Sequence, residues 1–314
     1  MNLQQLRYIH EVARCGLNVT EAAGALFTSQ PGVSKQIQLL EAELGIDIFV
    51  RQGRRLVGVT EPGQQILTIV DGVLREIENL RQVGQNFSHA DSGSLTIATT
   101  HTQARYALPP VVRAFMARYP KVRLELHQGN PSQICDWVIA GQADIAIATE
   151  AIAEHDELVM LPCQQWNRCL IAPVGHPILA EKPLTLEAIA RYPVVTYDTT
   201  FSGRSQINKA FTARNLTPNV VLTAIDADII KTYVALGLGV GIVAAMAYDE
   251  KGDKGLQAMD ASHLFESSMT RIGIRRNAWL RDYAYDFIEL FAPHLNHKLV
   301  KAALQGDSGE DPGL

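Results

Sequence analysis

Five polar side chains in one short stretch, Ser29, Gln30, Ser34, Lys35 and Gln38, have the types that read a DNA surface. Glutamine can pair bidentately with adenine, lysine meets guanine or phosphate, and hydroxyls bond either. The positions between them, Val33, Ile37, Leu40 and Leu44, fall at helical spacing and predict one buried stripe. Ser29 two residues before Pro31 is a helix-start signal, since a first-turn proline lacks only an N–H that would have been unpaired. Upstream, VTEAAGAL at 19–26 predicts a short helix with Ala22, Ala23 and Leu26 on its apolar face and Thr20 as its cap. Phe27 and Thr28 then fill a tight turn. Helix, turn and second helix commonly place the second helix in the major groove. A polar face alone is more often just solvated. The segment downstream decides for DNA: DIFVRQGRRLVGV at 47–59 predicts a hairpin turning at Gly53 and carrying Arg51, Arg54 and Arg55, a basic wing within reach of phosphates.

A second set of residues suits a small anion. Thr99, Thr100, His101, Thr102 and Gln103 stand where an apolar strand pattern, SLTIA at 94–98, gives way to a helical one with Ala104, Tyr106, Leu108 and Val111. A helix N-terminus offers unpaired N–H groups and partial positive charge, which favour an anion or carboxylate. The Thr100 and Thr102 hydroxyls and the Gln103 amide add neutral donors. Thr149 holds the equivalent place after DIAIA, and Ser202 comes after the VVTY run in a loop that opens another helix. The competing reading is structural, because hydroxyls at strand ends are most often helix caps. Other motifs carry less. GLGVG at 237–241 comes after a helix and before a strand, the reverse of a dinucleotide fingerprint. Asp226 and Asp228 fit capping of a helix over 226–236, and His101 has no visible Ser/Asp constellation, so no catalysis is assigned. The four cysteines form no CxxC pair and read as buried, reduced thiols, with no metal site.

These groups need elements to hold them. Residues 63–88 show Ile66, Val70, Val73, Ile77, Leu80 and Phe87 at heptad spacing, which predicts a helix of about 39 Å and a dimer seam. Beyond Asp91-Ser92-Gly93 the texture changes to strands near 94–98, 122–127, 144–148, 168–172, 194–197, 220–223, 240–244 and 270–274, many separated by helical patterns. That alternation predicts an α/β domain with largely parallel sheets, divided into two lobes around a cleft. A final amphipathic helix is expected at 278–295 and a flexible tail over 296–314. The expected division is therefore a winged helix-turn-helix at 1–60, a linker helix at 61–90 and an effector domain at 91–295. Its lobes would be 91–163 plus 268–295, and 164–267.

The 314 residues are 47% hydrophobic, enough for more than one core. Net charge is −5, and residues 1–90 carry 8 Lys/Arg against 9 Asp/Glu, a net of −1. Groove reading would thus rest on a local basic rim rather than a global one. Neither a signal peptide nor a long apolar run is visible, so a cytoplasmic protein without membrane contact is expected.

The strings TSQPGVSKQIQLLEAELG and TEPGQQIL resemble the LysR-type transcriptional regulators, and the similarity extends from Met1 to about Leu295. ATTHTQARYALP, DIAIATEA, LVMLPCQQWNR, DADIIKTYVALGLGVGI and FAPHL are similar to the branch of that family concerned with sulfur uptake and assimilation. The resemblance implies a winged helix-turn-helix, a dimerising linker and a two-lobed effector domain like the periplasmic binding proteins. It further implies promoter DNA and RNA polymerase as partners, a homodimer or homotetramer, and an acetylserine, sulfate or related sulfur anion as effector. By the same resemblance Thr100, Thr102, Gln103, Thr149, Trp166 and Ser202 contact that effector. Ser202 departs from the threonine expected there, keeping the hydroxyl and losing the methyl. A solute-binding protein is the alternative; it predicts a secretion signal and no DNA affinity. An enzyme would need a general base in the cleft.

Overall fold

The computed structural model describes residues 1–53, 55–88, 92–149, 155–199 and 202–306, without the side chains of 82, 85–88 and 202. Arg54, the Ser202 side chain and the last eight residues therefore lie outside the described set. The chain forms two compact units, Met1–Gln85 and Asn86–Leu314. No helix among the described residues is long and apolar enough to cross a membrane.

The first unit is built from α1 (Leu3–Arg14), α2 (Val19–Ala25), α3 (Gln30–Leu44), the hairpin β1 (Phe49–Gln52) and β2 (Arg55–Val59), and α4 (Glu61–Ser88). Asn2 and Gln5 close a reciprocal capping box on α1. The cap of α2 is Asn18, whose side chain accepts from the N–H groups of Thr20 and Glu21; the expected Thr20 lies inside the helix. Ser29 caps α3 as expected, and Gly45, at φ +71°, ends it in the left-handed conformation. Leu6, Ile9, Val12, Ala22, Val33, Ile37, Leu40, Ile48 and Phe49 make the core.

Two further details of this unit differ from the sequence expectation. Leu44 is 39% exposed, and Glu41 instead turns inward. Its carboxylate accepts from the N–H groups of Ile48 (2.9 Å) and Phe49 (3.2 Å) and pairs with Arg51 at 2.7 Å. An inward carboxylate thus anchors the start of the hairpin, where unpaired backbone donors would otherwise be buried. The heptad stripe of α4 is also not one seam. Ile66 and Val70, with Leu67 and Leu74, pack on the unit's own core, while Ile69, Val73 and Leu80 are exposed. The Thr60 hydroxyl ties the start of α4 to the carbonyls of Asp47 (2.6 Å) and Ile48 (3.2 Å). Gly63 lies so close that a Cβ there would sit 2.1 Å from the Ile48 carbonyl oxygen, so only glycine fits.

The second unit has two five-stranded sheets. One has the order β4-β3-β5-β12-β6, from β3 (Ser92–Thr99), β4 (Lys121–Gln128), β5 (Ile145–Ala148), β6 (Leu158–Trp166) and β12 (Ser268–Arg275). The other has the order β11-β7-β10-β8-β9, from β7 (Arg168–Pro173), β8 (Val194–Tyr197), β9 (Val220–Ala224), β10 (Val240–Ala244) and β11 (Leu256–Asp260). Three neighbouring strands of each sheet run parallel, β4-β3-β5 and β9-β8-β10, and the next strand of each is antiparallel to them. In chain order the helices are α5 (Leu108–Arg118), α6 (Pro131–Ile139), α7 (Leu186–Ala190), α8 (Ser202–Ala213), α9 (Ala227–Ala235), α10 (Asp282–Phe291) and α11 (His297–Leu304).

Strands β6 and β11 escape the hydrophobic pattern. Pro162 interrupts β6, which tolerates it as an edge strand with a register shift beside it. The flexible tail expected from residue 296 is corrected for its first part. Asn296 caps α11, and Val300 and Leu304, four apart on one face, are buried in the core of the first lobe. A single i, i+4 apolar pair is too short a signal to read without knowing what it meets.

Candidate functional site

On α3, Gln30, Lys35 and Gln38 are exposed, with Ser29 and Pro31, while Ser34 is partly covered. The Gln30 amide donates to the Ser34 hydroxyl at 3.0 Å, which orients its head on the outer face. Val33 and Ile37 on the opposite side are 0% and 1% exposed, so the helix cannot roll to hide these polar groups. On the hairpin Arg55 is exposed, whereas Arg51 is partly engaged by Glu41.

Five of the six predicted effector residues, Thr100, Thr102, Gln103, Thr149 and Trp166, line one cavity of about 40 Å³. Ser202 falls outside the described side chains, but its neighbour Gly203 lines the same cavity, as do Tyr197, Ile225 and Ala244. Strand β3 delivers Thr99 and Thr100 to its end, and β5 delivers Thr149. The helix after β3 includes a π-helical stretch, Gln103–Ala107, an unusual winding frequent at functional sites. Thr102 makes no side-chain cap hydrogen bond there, so helix capping does not account for its hydroxyl.

The polar groups of the cavity wall are incompletely satisfied. The Trp166 indole Nε1–H is buried without an acceptor among the described residues. Gln103, 1% exposed, donates to the Thr270 hydroxyl at 3.0 Å and leaves its Oε1 buried without a partner among the described residues. That hydroxyl can donate as readily as accept, so a turned amide keeps the contact and presents N–H to the cavity. A buried orphan donor costs about 1–3 kcal/mol, which a ligand acceptor would recover. The described lining contains no carboxylate.

Tyr197 was not foreseen. Its buried hydroxyl accepts from the Ala244 N–H at 3.3 Å, and the side chain, from the second lobe, lines the cavity together with Thr102 of the first. Burial pushes its pKa up to about 12, so it stays a neutral phenol. Nor was Arg168 foreseen, although it is 1% exposed and comes directly after the turn between β6 and β7. Its guanidinium donates to the Glu266 carbonyl (2.9 Å) and the Ser268 hydroxyl (2.8 Å), and stacks 5.1 Å from the Trp166 ring centre. The two strand segments that pass between the lobes meet here, since Trp166 pairs with Ser268. Arg168 therefore fastens the crossing and fixes the indole in the cavity wall.

A larger cavity, about 450 Å³, lies within the second lobe beside Leu186, Ala210 and Leu264. It holds none of the predicted residues, and its Lys209 and Glu266 pair with each other at 2.9 Å. Its wall too holds a buried acceptor without a partner among the described residues, Gln206 Oε1, but it lacks the buried donor, the Trp166 N–H, that an anion needs.

Residues 3–64 match the model of the bacterial regulatory helix-turn-helix protein, lysR family, and residues 88–296 match the LysR substrate binding domain. Among curated proteins, the transcriptional regulator SsuR of Burkholderia cenocepacia is 54% identical over 97% of this chain and 99% of its own. CysB of the same organism is 52% identical over 98% of each chain. The regulator cbl of Escherichia coli is 46% identical over 99% of this chain and 98% of its own. Of solved structures, the cofactor-binding domain of the Cbl transcriptional regulator superposes with a TM-score of 0.66 at 44% identity, covering 68% of this chain and 93% of that one. A full-length OxyR from Pseudomonas aeruginosa, at 22% identity and a TM-score of 0.70 over 94% of both chains, shares the fold. The solute-binding alternative falls with the match over 3–64, and the enzyme alternative with the regulators that match the full chain. With a helix-turn-helix presenting its polar face and a two-lobed ligand domain later in the sequence, the chain belongs to the LysR family of transcriptional regulators.

Proposed function

We propose that this regulator activates genes of sulfur uptake and assimilation in the cytoplasm, in response to a small sulfur oxyanion or an acetylated serine. The observation that carries the ligand class is the cavity wall: an orphan indole N–H and threonine hydroxyls, with no carboxylate in the described lining. Such a wall favours an acceptor-rich anion. A volume of about 40 Å³ suits sulfate or thiosulfate better than a nucleotide conjugate. Ser202 would add its hydroxyl from the second lobe.

In this reading Ser29, Gln30, Pro31, Ser34, Lys35 and Gln38 meet promoter DNA in the major groove, and Arg51, Arg54 and Arg55 meet the flanking phosphates. The exposed Ile69, Val73 and Leu80 of α4 supply a seam for a homodimer, the unit of a homotetramer. RNA polymerase is the partner through which activation would act. Full-length protein should be titrated calorimetrically with sulfate, thiosulfate, O-acetylserine, N-acetylserine and adenylyl sulfate. Saturable binding of at least one supports the reading, and silence from all five overturns it.

A further inference from the structure

The lobes of the second unit also meet at the edge of the effector cavity, which His101 lines, through one carboxylate. Asp228, in the first turn of α9, belongs to the second lobe, yet three of its partners come from the first. The Tyr106 hydroxyl donates to its Oδ1 at 2.7 Å, His101 Nε2 lies 3.2 Å from its Oδ2, and Arg105 Nε lies at 3.6 Å. From its own helix Lys231 approaches to 3.4 Å. The Lys231 ammonium also sits 5.1 Å from the Tyr106 ring centre and is held by the Ala247 carbonyl (3.0 Å) and Asp253 (3.2 Å). The other ring nitrogen of His101 meets Gln128 Oε1 at 3.1 Å, so that ring is fixed on both sides.

The neighbouring carboxylate, Asp226, is committed to capping α9 through the Ile229 N–H at 2.8 Å. His101, Asp226 and Asp228 bring ligand atoms within 4.8 Å of one another, as a metal site would. A cation there would face an ammonium and a guanidinium already within 3.6 Å of Asp228. The cluster is therefore complete as an ion-pair network.

We propose that Asp228, gripping Tyr106 and His101 across the cleft, is a latch that sets how much of the protein has its lobes closed, and so sets access to the effector cavity. The first half stands on the contacts alone; the second rests on the proposed ligand class. The contacts are made by the chain's own side chains and need no ligand to form. Isolated exposed ion pairs are weak, but this carboxylate binds four groups at once and one of its hydrogen bonds is short and charge-assisted. Burial tends to raise the Asp228 pKa, yet the Tyr106 and His101 hydrogen bonds and Lys231 outweigh it, and the net shift is downward. The latch is also next to the chemistry. His101 lies between Thr100 and Thr102, two of the cavity's hydroxyls, so releasing it frees the segment that carries them.

The test is the distance between lobes in full-length protein without added effector. Nitroxide labels at Lys121→Cys and Arg191→Cys, in a Cys15→Ser background, report it by pulsed electron resonance. With labelled chains diluted in excess unlabelled protein, so that each oligomer carries one, the parent should give one narrow distribution. Asp228→Asn and Tyr106→Phe should each add a longer, broader population. The double variant should look like Asp228→Asn, because Tyr106 acts through that carboxylate. If neither single variant moves the distribution, the latch is refuted; Tyr106→Phe keeps the test alive should the aspartate variant fail to fold. Sulfate release, measured by tryptophan fluorescence, should be about tenfold faster in Asp228→Asn. Unchanged release alongside an altered distance would refute gating while leaving the latch. A parent that binds no sulfate would count against the ligand reading, and the distance measurement would still decide the latch.

Discussion

At the scale of single residues, the proposed effector cavity is marked by two buried polar atoms without a partner among the described residues, the Trp166 N–H and Gln103 Oε1. Trp166→Phe keeps the ring that stacks on Arg168 and removes the orphan N–H. It should leave the melting temperature unchanged or raise it, while weakening the ligand by about tenfold or more, read by calorimetry. A variant that binds every candidate like the parent would remove the indole from the site. The cysteines lead to a different expectation. Burial pushes Cys135 up to about 11 and Cys163 and Cys169 up to about 12. At neutral pH these three stay protonated and poorly nucleophilic. Iodoacetamide at pH 8 should modify none of them in the folded protein and all of them in urea. The linkage has a definite sign: an unfolded thiol ionises near pH 8.5 and a folded one does not. Stability from this source is complete below that pH and falls as pH rises toward 12.

At the scale of elements, α4 divides its apolar residues between two tasks. Val70 is 4% exposed and belongs to the core of its own unit, while Leu80 is 70% exposed. An aspartate at each should therefore fail differently. Val70→Asp buries an unpaired charge and should unfold the first unit, with loss of helical circular dichroism. Leu80→Asp should leave that unit folded but dissociate the oligomer in sedimentation velocity, if α4 is the seam. A dimer that survives Leu80→Asp would place the interface elsewhere. The split was hidden in the sequence because a heptad spacing says which residues share a face and not what that face meets. Helix α11 and the edge strand β6 were missed for the related reason that their signals are short and depend on a neighbour.

At the scale of the whole molecule, a chain of net charge −5 cannot hold DNA by its overall field. In the proposed reading, binding comes from the outer face of α3 and from the hairpin. Gln30→Ala should cost about 1–3 kcal/mol at a cognate site and blur its sequence preference. Arg55→Ala should weaken all sequences alike and reduce the salt slope by about one. Gel shifts across a salt series separate the two effects, and equal loss of specificity from both would contradict this division of labour.

The sequence alone determined what depends on neighbours along the chain. The Ser29 cap and Pro31, the polar face of α3 and the parallel strands ending in Thr100 and Thr149 come from spacing within a few residues. Family resemblance then supplied Trp166, which no local pattern marks. Tertiary structure alone decided what depends on distant segments meeting. Glu41 turns inward because two N–H groups of the hairpin start need an acceptor. Arg168 is buried because two strand segments cross between the lobes beside it. His101 and Asp228, 127 residues apart, read separately as an idle histidine and a helix-end carboxylate. Their contact becomes visible only in the folded structure, because a hydrogen bond is set by position in space and the chain between them fixes no such distance.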